Sequence, residues 1–414
     1  MKRIAIFCDG TWNTATDPYP TNVSLLRQAL DATDAQGQPQ TDIYQPGVGA
    51  QENLTGLRRL ADRWAGGVTG RGLDTNIMEA YRDLAMIYEP GDAIHVFGFS
   101  RGAYTARSLV GLIRSAGVPP VDHIHRIPEA MTRYRIRGDL CTRPSNPASY
   151  PFRAEFAPFT ATGAEELTWR RRHGKGSADA IKLRIAYLGI WDTVGALGVP
   201  GYWTTAPIFN ERYQFHDAEL SSMVRAARHA VAVDERRQAF EPTLWTNVDE
   251  LNRQALNLPP EALLADICRE ELPYRQEWFP GDHGAVGGGE RRGLSAYPRA
   301  WVAEGAWKSG LAFKSDAVEG WRRERNVMEP LVHVAPLLSA SAALRVRSEP
   351  RKGPCSPLEV APAVFDRIRS DVGYRPPTLN RIWDDLRRRD RIGDVCGVCI
   401  DAAACDVTRI RSFA

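Results

Sequence analysis

The chain has 414 residues, 43% hydrophobic and 25% charged, with a formal net charge of +3. That length can bury a large core, read as one domain over residues 1–414 with insertions. The charge is too small to call for nucleic acid, and no apolar stretch nears the roughly 20 residues that span a bilayer.

The first residues, Met1-Lys2-Arg3-Ile4-Ala5-Ile6-Phe7-Cys8, begin like a signal peptide. The apolar part is too short for one. It reads as a first strand over residues 3–8, with a cytoplasmic location expected and export left to a specialised system. The polar loop Asp9-Gly10-Thr11-Trp12-Asn13 follows, then a helix from Asn22 to Leu30. A second strand over Thr41–Tyr44 closes at Pro46-Gly47-Val48-Gly49, and a glycine-rich loop carries Gly66, Gly67, Gly70 and Gly72. Ile77, Ala80, Tyr81, Leu84 and Ile87 then mark an amphipathic helix, with Asp74 or Thr75 as its cap.

The turn Pro90-Gly91-Asp92 opens a short apolar strand, Ala93 to Phe97, which runs into Gly98-Phe99-Ser100-Arg101-Gly102. Ala103, Ala106, Leu109, Val110 and Ile113 continue at helical spacing until Gly117-Val118-Pro119-Pro120. A G-x-S-x-G string between a strand and a helix is what a nucleophile elbow requires. Chance supplies the bare string in roughly one chain in ten of this length, so the flanking elements carry the assignment. Ser100 is the candidate nucleophile. Strands alternating with helices imply a mainly parallel sheet covered on both faces, an α/β fold of the α/β-hydrolase type. In such a fold the loop after the third strand donates oxyanion amides, and the nucleophile follows two strands later. On that scheme this chain starts at the oxyanion strand, and the amides of Gly10 or Thr11, with that of Arg101, form the oxyanion hole.

Residues 118–180 break the alternation and are rich in Arg, Pro and His, including His123, His125 and His173. They read as an insertion or cap with a solvated basic surface. The run Leu183 to Ile190 is a strand that leads into Trp191-Asp192-Thr193-Val194-Gly195. Asp192 is the candidate triad acid. Its rival is Asp234, after a helix-like run that contains His229. The chain order Ser, Asp, His points to His283 in the glycine-rich loop Trp278 to Gly289 as the base. His229 and His216 compete with it, and Asp9, Asp234 and Asp282 are candidate supporting acids.

Residues 290–414 read as mostly helical, with runs at Trp301–Leu311 and Pro362–Ile368, and form a candidate lid. The seven cysteines are odd in number and scattered, which fits reduced thiols. Cys396, Cys399 and Cys405 have no histidine near them, so free thiols are expected and neither a metal nor a cofactor is.

Several blocks together match a known family: Phe7 to Asn13, Tyr44 to Gly49, Gly91 to Arg107, Leu188 to Gly195, Ala232 to Arg237, Trp278 to His283 and Tyr374 to Leu379. With these the chain resembles the uncharacterised α/β-hydrolase family that includes phospholipase effectors of the bacterial type VI secretion system. The resemblance spans nearly the whole chain. It implies carboxylic-ester hydrolysis by a Ser-Asp-His triad, carried over by motif onto Ser100, Asp192 and His283. The family pattern has an aspartate two residues after the histidine, where this chain has Ala285. The chain is also shorter than those effectors, which carry extra membrane-engaging segments. The expected substrate is therefore a lipid or small-molecule ester. Phospholipase action with peripheral membrane contact is the alternative. Two other classes stand beside it. Asp9-Gly10-Thr11 is similar to the haloacid-dehalogenase-like phosphoryl-transfer motif, but Phe7 occupies the nucleophile position. A non-catalytic interaction protein on the same fold could use the tryptophans Trp301, Trp307 and Trp321.

Overall fold

The computed structural model describes residues 1–11, 13–49, 70–136, 138–195, 219–237, 240–289, 291–331 and 349–387. In chain order the strands are β1 (Arg3–Cys8), β2 (Gln40–Gln45), β3 (Ala93–Phe99), β4 (Thr160–Ala161), β5 (Ile181–Lys182), β6 (Ile185–Trp191), β7 (Ala227–Ala232) and β8 (Tyr274–Phe279). The helices used below are α1 (Asn22–Ala29), α2 (Gly70–Ile87), α3 (Arg101–Ala116), α4 (Ile127–Arg135), α5 (Tyr150–Phe156), α6 (Ala164–His173), α7 (Val248–Ala255), α8 (His283–Gly287), α9 (Arg292–Lys308), α10 (Ser315–Glu324), α11 (Pro362–Ser370) and α12 (Trp383–Arg387).

The main sheet runs β2-β1-β3-β6-β7-β8, and each neighbouring pair is parallel. Both faces are buried, so its strands carry apolar residues on both sides. Along β1, Ile4, Ile6 and Cys8 face one layer, where α2 and α3 bring Leu73, Tyr81, Ala103 and Leu109. Ala5 and Phe7 face the other, where α1, α9 and α10 bring Leu26, Trp301, Val302 and Trp321. Trp301 and Trp321 are thus core residues, while Trp307 is 37% exposed. β1 has β2 on one side and β3 on the other, so the chain changes direction across the sheet there. The carboxyl ends of strands at such a switch point form the usual ligand crevice of open α/β sheets.

Three local readings change. The run ending at Ala232 is a strand, not a helix. Its alanines and Arg228 favour a helix, but β7 is wholly buried and pairs with both β6 and β8; burial between two strands overrides the propensity. β8 is hidden in the sequence by charge. Arg275 and Glu277 are buried there, with Arg275 Nη2 2.7 Å from Glu277 Oε1 and Arg269 Nη2 at the same distance from it. Finally, α2 starts at Gly70, so Asp74 and Thr75 lie inside it. Asp74 accepts from Arg135 Nη2 at 2.5 Å instead of capping.

Residues 118–180 carry α4, α5, α6 and β4, which pairs with β5 just after them. Their arginines are partly internal: Glu166 is buried between Arg153 (2.9 Å) and Arg170 (2.6 Å). Residues 349–387 pack beside β7 and β8, where Val360, Val364, Phe365, Leu379 and Trp383 meet Val231, Val233 and Trp278. The Ala361 N–H donates to Trp278 O at 2.9 Å, which ties this segment to the sheet edge. Among the described residues no helix is long and apolar enough to cross a membrane. His216, Cys396, Cys399 and Cys405 lie outside the described residues.

Candidate active site

Ser100 stands between β3 and α3 with φ 58° and ψ −123°. That backbone conformation is open to glycine and strained for other residues. The two flanking glycines make it buildable. A Cβ on Gly98 would lie 2.5 Å from Gly102 O, and one on Gly102 would lie 2.2 Å from Cys8 O and 2.3 Å from Asp9 O. The elbow is therefore pressed directly against the end of β1. Ser100 is the N-cap of α3 but makes no capping bond with its side chain, which leaves Oγ for another partner.

That partner is His283. Ser100 Oγ donates to His283 Nε2 at 2.8 Å, and His283 Nδ1–H donates to Asp192 Oδ2 at 2.6 Å. The tautomer follows from Asp192, which as a carboxylate can only accept. All three side chains are nearly enclosed: Ser100 and His283 are each 6% exposed and Asp192 is fully buried. The imidazole lies against Phe99 and Phe240, each with its ring centroid 4.7 Å away. Gly287 makes room for the Phe99 ring, since a Cβ there would come within 1.9 Å of it.

Asp192, at the end of β6, also has a positive φ, 39°. Its Oδ1 accepts from the Ala232 N–H at 2.9 Å and from Arg351 Nη1 at 2.7 Å, and Arg351 Nη2 reaches Oδ2 at 2.8 Å. Burial alone would push this carboxyl up. The Arg351 guanidinium, with hydrogen bonds from Arg351 and His283, outweighs burial and holds it far below the usual carboxylate range.

The rival residues take other parts. Asp234 does not receive His283; its Oδ2 accepts from the Gly281 N–H at 2.6 Å and from Tyr374 OH at 2.9 Å, which holds the loop ahead of His283. Glu235 Oε2 accepts from the His283 N–H at 3.2 Å. Asp282 caps α8 by accepting from the Ala285 N–H at 2.8 Å; His283 is thus the first residue of a short helix rather than part of a free loop. Ala285 is buried under that turn. His229 is fully buried on β7, accepts from the Thr193 N–H at 3.3 Å and pairs with Gln276 Oε1 at 2.9 Å. Burial, then the Arg107 charge, pushes it down to about 3, so it stays neutral and braces the residue after Asp192.

The β1 loop differs from expectation at Gly10. Its N–H already donates to Asp9 Oδ1 at 2.7 Å, so the amides of Thr11 and Arg101 remain as the candidate oxyanion donors. Asp9 also accepts from Thr21 Oγ1 (2.7 Å), Ser24 Oγ (3.2 Å) and Tyr44 OH (2.8 Å). With both carboxylate oxygens filled from within, Asp9 is a tie between the loop, α1 and β2, not a nucleophile toward phosphate. Gly47 completes the packing, because a Cβ there would fall 1.8 Å from Gly10 O.

Arg351 and Phe240 had no role in the sequence reading, and the cluster of Asp234, Glu235, Arg236 and Arg237 reads there equally as an internal ion-pair network, which the Arg237–Glu235 pair at 2.6 Å matches. Glu235 and Tyr374 fell within blocks that carried the resemblance; Arg351, in Pro350-Arg351-Lys352-Gly353, carried no signal.

A family model described as the catalytic domain of the Tle1-like phospholipase effectors of the type VI secretion system matches residues 2–305. The uncharacterized protein YEL023C of Saccharomyces cerevisiae is 28% identical over 257 residues, 59% of this chain and 33% of that protein. The chain therefore spans about a third of this curated relative. Two solved structures are similar. The Tle1 effector bound to the VgrG spike has a TM-score of 0.31 and 17% identity, over 70% of this chain and 52% of that one. An uncharacterized protein from Pseudomonas aeruginosa has a TM-score of 0.39 and 16% identity, over 94% and 52%. By the family match, the chain belongs to the family of the Tle1-like catalytic domain, described as that of type VI secretion phospholipase effectors.

Proposed function

We propose that this protein is a serine hydrolase that cleaves carboxylic esters of lipids through an acyl-enzyme. The observation that carries the reading is the continuous hydrogen-bonded chain Ser100 Oγ–His283 Nε2 and His283 Nδ1–Asp192 Oδ2, at 2.8 and 2.6 Å. Family membership supports a lipid as the substrate.

In the reaction, His283 Nε2 takes the proton of Ser100 as Oγ attacks the ester carbonyl. The carbonyl oxygen gains negative charge, which the amides of Thr11 and Arg101 receive. Asp192 holds the imidazole in the required tautomer and stabilises the imidazolium. The imidazolium returns its proton to the leaving alcohol, and the C–O ester bond breaks. Water then gives a proton to His283 and attacks the acyl-enzyme, and the carboxylic acid departs as Ser100 regains its proton.

A fluorophosphonate probe should label the wild-type protein and leave Ser100→Ala unlabelled. Equal labelling of both would remove Ser100 as nucleophile. A series of p-nitrophenyl esters of rising acyl length, run beside phospholipid vesicles, tests the substrate class. Turnover confined to short esters would exclude lipid hydrolysis.

A further inference from the structure

We infer that Arg351 is a positioning residue for the proposed triad, which locks the Asp192 carboxylate in the rotamer that receives His283 and holds Phe240 beneath the imidazole. The inference rests on the Ser100-Asp192-His283 reading and adds to it a residue that lies outside the matched residues 2–305.

The geometry is a closed fork. Arg351 Nη1 donates to Asp192 Oδ1 at 2.7 Å and to Ala232 O at 2.9 Å; Nη2 donates to Asp192 Oδ2 at 2.8 Å and to Phe240 O. A two-pronged contact of this kind fixes the carboxylate's orientation as well as its charge, which a single ammonium cannot do. The carbonyls of Ala232 and Phe240 aim the fork in turn. One guanidinium therefore grips the acceptor of His283 Nδ1 and the backbone of the residue whose ring lies 4.7 Å from the imidazole. Arg351 is 4% exposed, so water does not compete for these contacts.

The second consequence is electrical. Arg351 and His283 share Asp192 Oδ2, so the cation opposes protonation of the Asp192–His283 pair. Other charged or titratable groups near the pair come from each neighbouring element: His229 on β7, Glu235 and Arg237 after it, Glu241, Asp282 at α8, and Lys352. Glu235 and Arg237 pair with each other at 2.6 Å. Among the described residues, hydrogen bonds to the Asp192 carboxylate come from Ala232, His283 and Arg351 alone. Removing the Arg351 charge leaves the pair holding its proton more tightly. In the variant this is read as an acid limb of the kcat/KM profile that moves to higher pH.

The test uses the full chain, p-nitrophenyl butyrate across the pH range, and unfolding midpoints. Arg351→Met should lower kcat on the order of 10²-fold, as a misplaced base does. It should also raise the midpoint of the acid limb by about one unit or more. Arg351→Lys should keep the limb near its wild-type position but not kcat, because the charge remains and the fork is lost. Millimolar guanidinium added to Arg351→Ala should recover turnover. A folded Arg351→Met protein with wild-type kcat and an unmoved acid limb overturns the inference. Should that variant not fold, Arg351→Lys decides: wild-type kcat with lysine overturns the fork. Ser100→Ala in the same assays separates the two readings. If wild-type turnover does not depend on Ser100, the triad fails; if it does and the Arg351 variants behave as wild type, only the Arg351 role fails.

Discussion

Ser100→Gly and Ser100→Ala remove the same hydroxyl, so the difference between them isolates the backbone. Both lose the bond to His283, roughly 1 kcal/mol of net stabilisation, and neither introduces an atom that Ser100 lacks. What separates them is φ 58°, ψ −123°. A residue with a Cβ in such a region is strained by about 1–3 kcal/mol, which glycine escapes. Glycine in turn loses roughly 0.5–1 kcal/mol relative to alanine through its greater freedom when unfolded. The difference leaves the glycine variant more stable by about 1 kcal/mol, within limits of roughly 0 and 2.5 kcal/mol. At an unstrained position the order is reversed, so the sign alone is informative. Urea unfolding of the two inactive proteins, side by side, reads it. An alanine variant more stable than the glycine variant would mean that Ser100 does not hold the elbow conformation in solution.

Two further substitutions test the buried carboxylates. Asp192→Asn should lower kcat by about 10⁴-fold through the wrong imidazole tautomer and destabilise the fold by about 3–5 kcal/mol by leaving Arg351 as an uncompensated buried cation; steady-state kinetics within tenfold of wild type would remove Asp192 from the triad. Asp9→Asn should leave stability at pH 7 unchanged or higher, because burial raises the Asp9 carboxyl above its ordinary value and its ionised form is unfavourable in the fold. With a raised pKa, the wild-type disadvantage grows as pH rises through the interval between the unfolded and folded values and shrinks as pH falls back through it. Unfolding midpoints at several pH values should therefore converge on the acid side, and a gap that widens there would contradict the buried-charge account.

Backbone geometry is what made much of this chain legible. Gly98, Gly102 and Gly47 each touch another backbone more closely than a Cβ permits, and such contacts force glycine into fixed places in the sequence. Strands β1, β3 and β6 were readable because a doubly covered parallel sheet demands unbroken apolar runs. β7 and β8 were not. Alanine suits helix and buried strand alike, and Arg275 and Glu277 enter the core only because they neutralise each other there. Ser100 and Asp192 stood out because each follows a readable strand, and His283 because it comes after them on a glycine-rich loop, in the order such chemistry needs. Arg351 could not stand out: it meets Asp192 across 159 residues, and no local pattern marks a contact that only the tertiary fold creates.

Asp9 and Asp192 show how the fold gives two buried carboxylates opposite behaviour. Each has four donors around it. Those of Asp9 are an amide and three hydroxyls, all neutral, and they do not offset burial. Asp192 has an amide, an imidazole N–H and both arms of a guanidinium, and the full charge reverses the balance. The difference matches what each position requires. The β1 loop needs only a fixed acceptor that pins Gly10 beside the elbow, and a neutral network is enough for that. The proposed acid must be a carboxylate each time an imidazolium forms beside it, inside a site whose three side chains are nearly enclosed. A cation behind it secures that, at the expense of sharing its negative charge. The same guanidinium that keeps Asp192 ionised therefore limits how strongly Asp192 can stabilise the imidazolium, and the pH profile of Arg351 variants measures where that compromise was set.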